Sequence, residues 1–108
     1  MFVAAPSPPQ NLRVLEVSRD YVVIVWEPPV TDGNEKVLGY EIEKCMMSGT
    51  SCGTYVSAGY VDATTLSYRI TRLHEGCSYM FRVSAENRIG LSSPASTDKP
   101  VTVKLPFG

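Results

Sequence analysis

Apolar residues recur at every second position along most of this chain, and nowhere do they return with the 3.6-residue period of an amphipathic helix. The alternating runs are separated by Gly, Pro, Asp and Asn. They predict strands over residues 11–17, 21–26, 39–44, 54–61, 67–70, 79–85 and 100–104. Pro6, Pro8 and Pro9 precede the first, where missing backbone donors keep a leading edge from recruiting another sheet. Pro28 and Pro29 close the second. A turn over residues 31–34 gives Gly33 the freedom to take positive φ, and residues 46–53, with two glycines and two serines, read as a loop. Seven short strands without a crossover helix indicate an all-β, antiparallel sandwich.

Side chains alternate across a pleated strand, so the spacing separates interior from surface. Trp26, Tyr40, Ile42, Tyr68, Leu73, Tyr79, Phe81 and Val83 form the expected core, with Val22, Ile24, Ile70 and Ala85 sharing their parity. Each fully buried large apolar side chain contributes about 1.5–3 kcal/mol, which makes this cluster the main stabilising term. The same parity turns Tyr21, Val23 and Val25 outward, between Arg13 on one side and Ser67, Arg69 and Thr71 on the other. Two readings follow. Arginine stems cover the stripe, or Arg13, Tyr21, Val23, Val25 and Arg69 form a contact face for a partner.

Composition narrows the function classes. The chain has 108 residues, room for one domain, with 11 acidic against 10 basic side chains. That balance removes the electrostatic argument for nucleic acid or a membrane surface. No apolar run approaches the roughly 20 residues of a membrane span. Residues 1–6 are too short for a signal peptide and lack its positive region, so they are expected to be a leader outside the domain. The domain is expected over 7–104, with 105–108 a tail or linker. Asn11, Asn34 and Asn87 all lack the Ser or Thr of a glycosylation site, and the cysteine count is odd. Both lean towards a reducing, intracellular setting. Cys45 ends the third predicted strand with outward parity, whereas Cys77 shares the parity of Tyr79. Free thiols are the expectation, with a Cys45–Cys77 bridge as the alternative.

Catalytic chemistry finds no foothold. His74, the only histidine, sits in a turn without a positioned partner, and nucleophile elbows, zinc-binding helices and Gly-rich phosphate loops are absent from the sequence. The cysteines do not have metal-ligand spacing, and one histidine cannot complete a zinc site. The expectation is a non-enzyme without catalytic residues, cofactor or metal. Arg82 shares an outer face with Met80 and Ser84, opposite Glu41 and Glu43, and an ordinary cross-strand ion pair accounts for them. A charged docking surface is the other reading.

Trp26 before Glu27 and Pro28, then Asp32-Gly33, Gly39-Tyr40-Glu41-Ile42-Glu43-Lys44, Leu73 six residues before Tyr79, and Asn87 three before Gly90 occur in the order of one known family. The chain resembles a fibronectin type III domain over nearly its whole length. That resemblance implies a seven-stranded immunoglobulin-like β-sandwich with Tyr79 as its tyrosine corner. The wording around Ile42, Phe81 and Ser93 is most similar to such domains in the giant intracellular muscle proteins titin, twitchin, obscurin, myomesin and myosin-binding protein C. There the fourth strand usually opens with a second Trp; Tyr55 is the nearest aromatic here. The resemblance implies a spacer and docking module of a sarcomeric or cytoskeletal protein in the cytoplasm, monomeric when isolated. Its implied partners are adjoining immunoglobulin-like or fibronectin type III modules and myosin or another filament protein, with neither nucleic acid nor membrane among them. In the Asn87–Gly90 turn it implies that Gly90 takes a φ other residues avoid. An extracellular module of an adhesion or cytokine receptor shares the fold and is the alternative.

Overall fold

Two sheets receive the alternating strands in the computed structural model, which describes residues 2–106. Nine strands occur among them: β1 Gln10–Val17, β2 Val22–Glu27, β3 Gly39–Ser48, β4 Ser51–Cys52, β5 Val56–Asp62, β6 Ser67–Ile70, β7 Ser78–Glu86, β8 Ala95–Ser96 and β9 Val101–Thr102. One sheet has the order β1-β2-β6. The other runs β4-β3-β7-β8, with β5 also on β3 and β9 also on β7. The count exceeds seven because β4 is a two-residue return of β3 and the last edge is split into β8 and β9. Ser92 and Thr97 flank β8. Their hydroxyls accept from the Ala85 and Phe81 N–H groups at 2.9 and 3.1 Å, so side chains continue the ladder where backbone pairing lapses.

Between the sheets lie Val22, Ile24 and Trp26 of β2, Tyr40 and Ile42 of β3, Ile70 of β6, and Tyr79, Phe81, Val83 and Ala85 of β7, all buried. Leu73 and Val103 close the cluster, and Tyr68 is partly buried against it. The indole of Trp26 meets Tyr40 edge-on at 5.5 Å between ring centroids, an arrangement aromatic quadrupoles favour. Tyr68 donates its hydroxyl to the Ala58 carbonyl at 3.1 Å. Gly59 lies under that ring, and any Cβ there would collide with it. A glycine on β5 is therefore what lets Tyr68 reach across.

Both poles are tied by specific hydrogen bonds. At one, the Tyr79 hydroxyl accepts from the His74 N–H at 3.0 Å, closing the tyrosine corner. At the other, Asn87 Nδ2 donates to the carbonyls of Ala4 and Asp32, both at 2.7 Å, while its Oδ1 accepts from the N–H groups of Ile89 and Gly90. Residues 2–6, read as a leader, are drawn into this pole. Ala4 N–H donates to Gly33 at 2.9 Å, Asn34 Nδ2 donates to the Phe2 carbonyl at 2.9 Å, and Pro6 is buried. Gly33 has φ 74°, as its turn requires. Of the leader and tail, Met1, Phe107 and Gly108 lie outside the described residues.

Three expectations need correction. Residues 46–53 are no open loop: β3 continues to Ser48 and turns back into β4, with Met47 opposite Cys52. That hairpin corrects the second expectation too, for Cys45 and Cys52 are joined by a disulfide and only Cys77 is a free thiol. Cys45 does lie on the outward side, in line with Glu43 and opposite Met80. Its partner is the cysteine that the unforeseen hairpin folds back, Cα to Cα 6.0 Å away. Third, Gly90 has no positive φ. The Asn87 side chain organises that turn by accepting from the two following amides, which relieves Gly90 of the role.

Replacing Trp26 by Ala removes the largest buried ring and is expected to cost about 3–5 kcal/mol in urea unfolding followed by circular dichroism; a loss under about 1 kcal/mol contradicts its place in the core. Tyr79→Phe leaves the His74 amide without its acceptor and is expected to lower stability by about 1–3 kcal/mol in the same assay. An unchanged midpoint would show that the corner bond contributes nothing.

Candidate interaction face

The outer surface of the three-stranded sheet is organised in cross-strand rows. Arg13, Val25 and Ser67 form one row, and Glu16, Val23 and Arg69 the next. Tyr21 precedes β2 and sits beneath Arg69, whose guanidinium carbon lies 4.3 Å from the ring centroid. Its hydroxyl donates to Glu16 Oε2. That hydrogen bond raises the Tyr21 phenol above its ordinary value, and the Arg69 cation partly offsets the rise. Arg13 reaches Glu27 at 3.9 Å and donates to the Asn11 carbonyl at 2.9 Å, while Asn11 Nδ2 donates to the same carboxylate at 3.0 Å. Val23 and Val25 are half-buried between these groups. The face therefore carries two valines framed by polar clusters, Tyr21–Glu16–Arg69 at one end and Asn11–Arg13–Glu27 at the other.

Sequence parity does not reveal Glu16. Counting by twos from Arg13 puts Leu15 outward and Glu16 inward. A register shift between Val14 and Glu16 inserts one residue, however, so Glu16 pairs with Val23 and both Leu15 and Glu16 are exposed. Asn11 was equally hidden, since it occupies φ 51° beside a second register shift. The only signal in the sequence is the charge pattern itself: an acid, Glu16, in a strand whose other outward position is Arg13.

The six-stranded sheet presents the second charged surface. Arg82 Nε donates to Glu43 Oε1 at 2.7 Å and its guanidinium covers the Tyr55 ring at 3.9 Å. Ser57 donates to Glu41, and Tyr60 to Glu86, each at 2.7 Å. Each acid on this face thus has a donor within it, which supports the ion-pair reading over a docking surface. Partial desolvation, then the hydrogen bond to Glu86 and its charge, push the Tyr60 phenol up to about 12. Among the described residues, no three His, Cys, Asp or Glu gather as a metal site would require.

The family profile described as fibronectin type III domain matches residues 7–101. Titin of Drosophila melanogaster is 42% identical over 96 residues, which is 89% of this chain and, to the nearest per cent, 0% of that protein. Human fast-type myosin-binding protein C is 35% identical over 91% of this chain and 8% of its own length. The solved twitchin kinase region from C. elegans superposes with a TM-score of 0.86 at 29% identity, over 97% of this chain and 18% of that one. The chain thus spans under a tenth of the curated relatives it matches.

The folded state holds the Tyr60 proton more tightly than the unfolded chain, where the phenol titrates near 10.0. Its stabilising contribution is therefore complete below that pH and lost as pH rises from 10.0 towards about 12. Urea unfolding at a series of alkaline pH values is expected to show this loss, and Tyr60→Phe to reduce it. A slope that Tyr60→Phe leaves unaltered would contradict the assignment.

Proposed function

Because this chain belongs to the fibronectin type III family, we propose that it serves as a spacer and docking unit in a long, multidomain muscle protein. The family and its relatives make it a structural or interaction module. The observation supporting the spacer role is the path of the chain. Residues 2–6 lie against Gly33 and Asn87, at the pole where β7 ends. Val101 and Thr102 pair with Tyr79 and Ser78, where β7 begins. The chain thus enters one pole and leaves by the other of a body 53 Å long and 25 × 19 Å across. Modules with this path string end to end, and tension through the termini is met by strand pairing at both ends. Adjoining immunoglobulin-like or fibronectin type III modules are the proposed neighbours, and the similarity to muscle proteins supports a cytoplasmic, sarcomeric setting.

For docking, the supporting feature is the stripe of Val23 and Val25 framed by Arg13, Tyr21 and Arg69. Apolar area ringed by charge is a usual form of contact surface. Myosin or another filament protein is the proposed partner, in keeping with the name of one relative, myosin-binding protein C. The extracellular alternative draws support from one observation, the Cys45–Cys52 bond, since disulfides persist chiefly in oxidising compartments. The similarity to muscle proteins supports the first reading.

Cosedimentation with purified myosin filaments tests the docking role. The folded chain is expected to pellet with the filaments, and Val23→Glu, which places a charge in the middle of the stripe, to weaken this by about tenfold or more while leaving the urea midpoint in place. No pelleting of the unaltered chain, or equal pelleting of the variant, would reject this face as the myosin contact.

A further inference from the structure

The register that builds the core also carries a lysine to its rim. Along β3, Tyr40, Ile42, Lys44 and Met46 lie opposite Ala85, Val83, Phe81 and Tyr79 of β7, all four of which are buried core residues. Lys44 therefore occupies an inward-facing position. Beyond Ile42 the opposing sheet has ended, since β6 stops at Ile70, and the segment from Thr71 to Cys77 covers the space instead. A hollow of about 260 Å³ remains there, lined by Lys44, Met46, Thr54, Val56, Arg72, His74 and Tyr79.

Three of those seven residues are basic side chains, and none is a carboxylate. Lys44, Arg72 and His74 form no salt bridge among the described residues. Gathering like charges without a counter-charge is unfavourable, and the backbone adds to the cost. Arg72 is held at φ 60°, a left-handed conformation uncommon for a long side chain and found disproportionately at functional sites. The Tyr79 hydroxyl accepts from His74 N–H, and no acceptor for its own proton is found among the described residues. The hollow thus combines the Lys44 and Arg72 cations, the His74 imidazole, a Thr54 hydroxyl and the buried Tyr79 phenol. Every one of these can donate a hydrogen bond to a multiply charged oxyanion, and charge-assisted bonds of this type are the strong ones.

We propose that this hollow binds a phosphate monoester, and that the phosphate is carried by a phosphorylated residue of an extended peptide. The peptide source follows from the rest of the lining. Met46 and Val56 are large, exposed apolar side chains beside the cations. A free phosphate would leave them in water, whereas a peptide could place an apolar neighbour of its phosphorylated residue on them. The site lies on the interior rim of the sandwich and is independent of the Val23 stripe.

Chemical-shift titration of the full chain tests this with three probes. They are a short alanine- and glycine-based peptide carrying one phosphoserine next to one leucine, its unphosphorylated twin, and inorganic phosphate. The phosphopeptide is expected to saturate, with shifts centred on Lys44, Thr54, Arg72 and His74. Inorganic phosphate is expected to shift the same residues about tenfold more weakly, and the twin to shift nothing. Lys44→Gln and Arg72→Gln should each weaken the phosphopeptide by about tenfold, the remaining spectrum reporting that both variants stay folded. Absence of saturation by the phosphopeptide, or equal binding by either variant, would overturn the site. Inorganic phosphate binding as tightly as the phosphopeptide would overturn the peptide source.

Discussion

The unbroken pairing of β3 with β7, from Gly39 opposite Glu86 to Met46 opposite Tyr79, is the constraint from which the rest of this domain follows. One side of that ribbon supplies Tyr40, Ile42, Phe81, Val83 and Ala85 to the interior. Its other side sets Glu43 against Arg82 at 2.7 Å. Its ends fix the poles, for Tyr79 reaches the His74 amide near one end and Asn87 gathers the loops just past the other. A register slip of one residue would exchange the two faces, burying Glu41 and Glu43 while exposing Tyr40 and Ile42. The transfer energy of those side chains thus holds the pairing in place, more than any single backbone hydrogen bond does.

Alternation made the interior legible because a pleated strand allows each side chain only two directions. Val22, Ile24 and Trp26 repeat by twos, and so do Tyr79, Phe81 and Val83, without interruption; these are the positions the structure buries. The family was legible for a different reason. Trp26, Tyr79 and Asn87 each perform a job that few other residues can do, so their order in the chain is informative before any coordinates exist. The candidate contact stripe was readable only along β2, where counting by twos holds. It failed on β1, where an inserted residue turns Glu16 outward and nothing local in the sequence announces the insertion. The Cys45–Cys52 link failed similarly. Ser48 to Ser51 carry the small, flexible residues of a loop, yet residues of that kind also close a tight hairpin, and composition does not separate the two.

The two poles are closed by different chemistry. Around Asn87 the closure is made of neutral amide and carbonyl groups, including those of Ala4, Gly33 and Asp32, and it fixes the chain before β1 to the β2–β3 connection. Such a joint fixes the direction in which the chain enters β1, its backbone being held at several points. The Arg88–Glu35 pair at 2.6 Å lies beside it with the arginine largely solvated, so it adds modestly to the joint. At the opposite pole a phenol takes the place of the amide: the Tyr79 hydroxyl accepts from His74, beside the short β9 pairing and backbone bonds from Gly76 N–H to the Val103 carbonyl and from Val103 N–H to the Cys77 carbonyl.

That asymmetry has a common origin with the inward lysine. β3 is ten residues long and β6 only four, so the two sheets cannot cover one another along their full length. Where they overlap, inward positions are apolar, and water is excluded. Where β3 outruns its counterpart, an inward position borders a hollow that a loop only partly roofs, and the same parity that demands isoleucine at residue 42 accepts lysine at residue 44. Lys44 lies opposite Phe81 in the ladder and is half-buried where it lines the hollow, as a side chain with an apolar stem and a charged tip can be. Arg72 and His74 then arrive from the covering loop because that loop must cross this gap to start β7. The concentration of basic side chains at this pole thus accompanies the unequal strand lengths, and it leaves at this end the hollow proposed to take an anion.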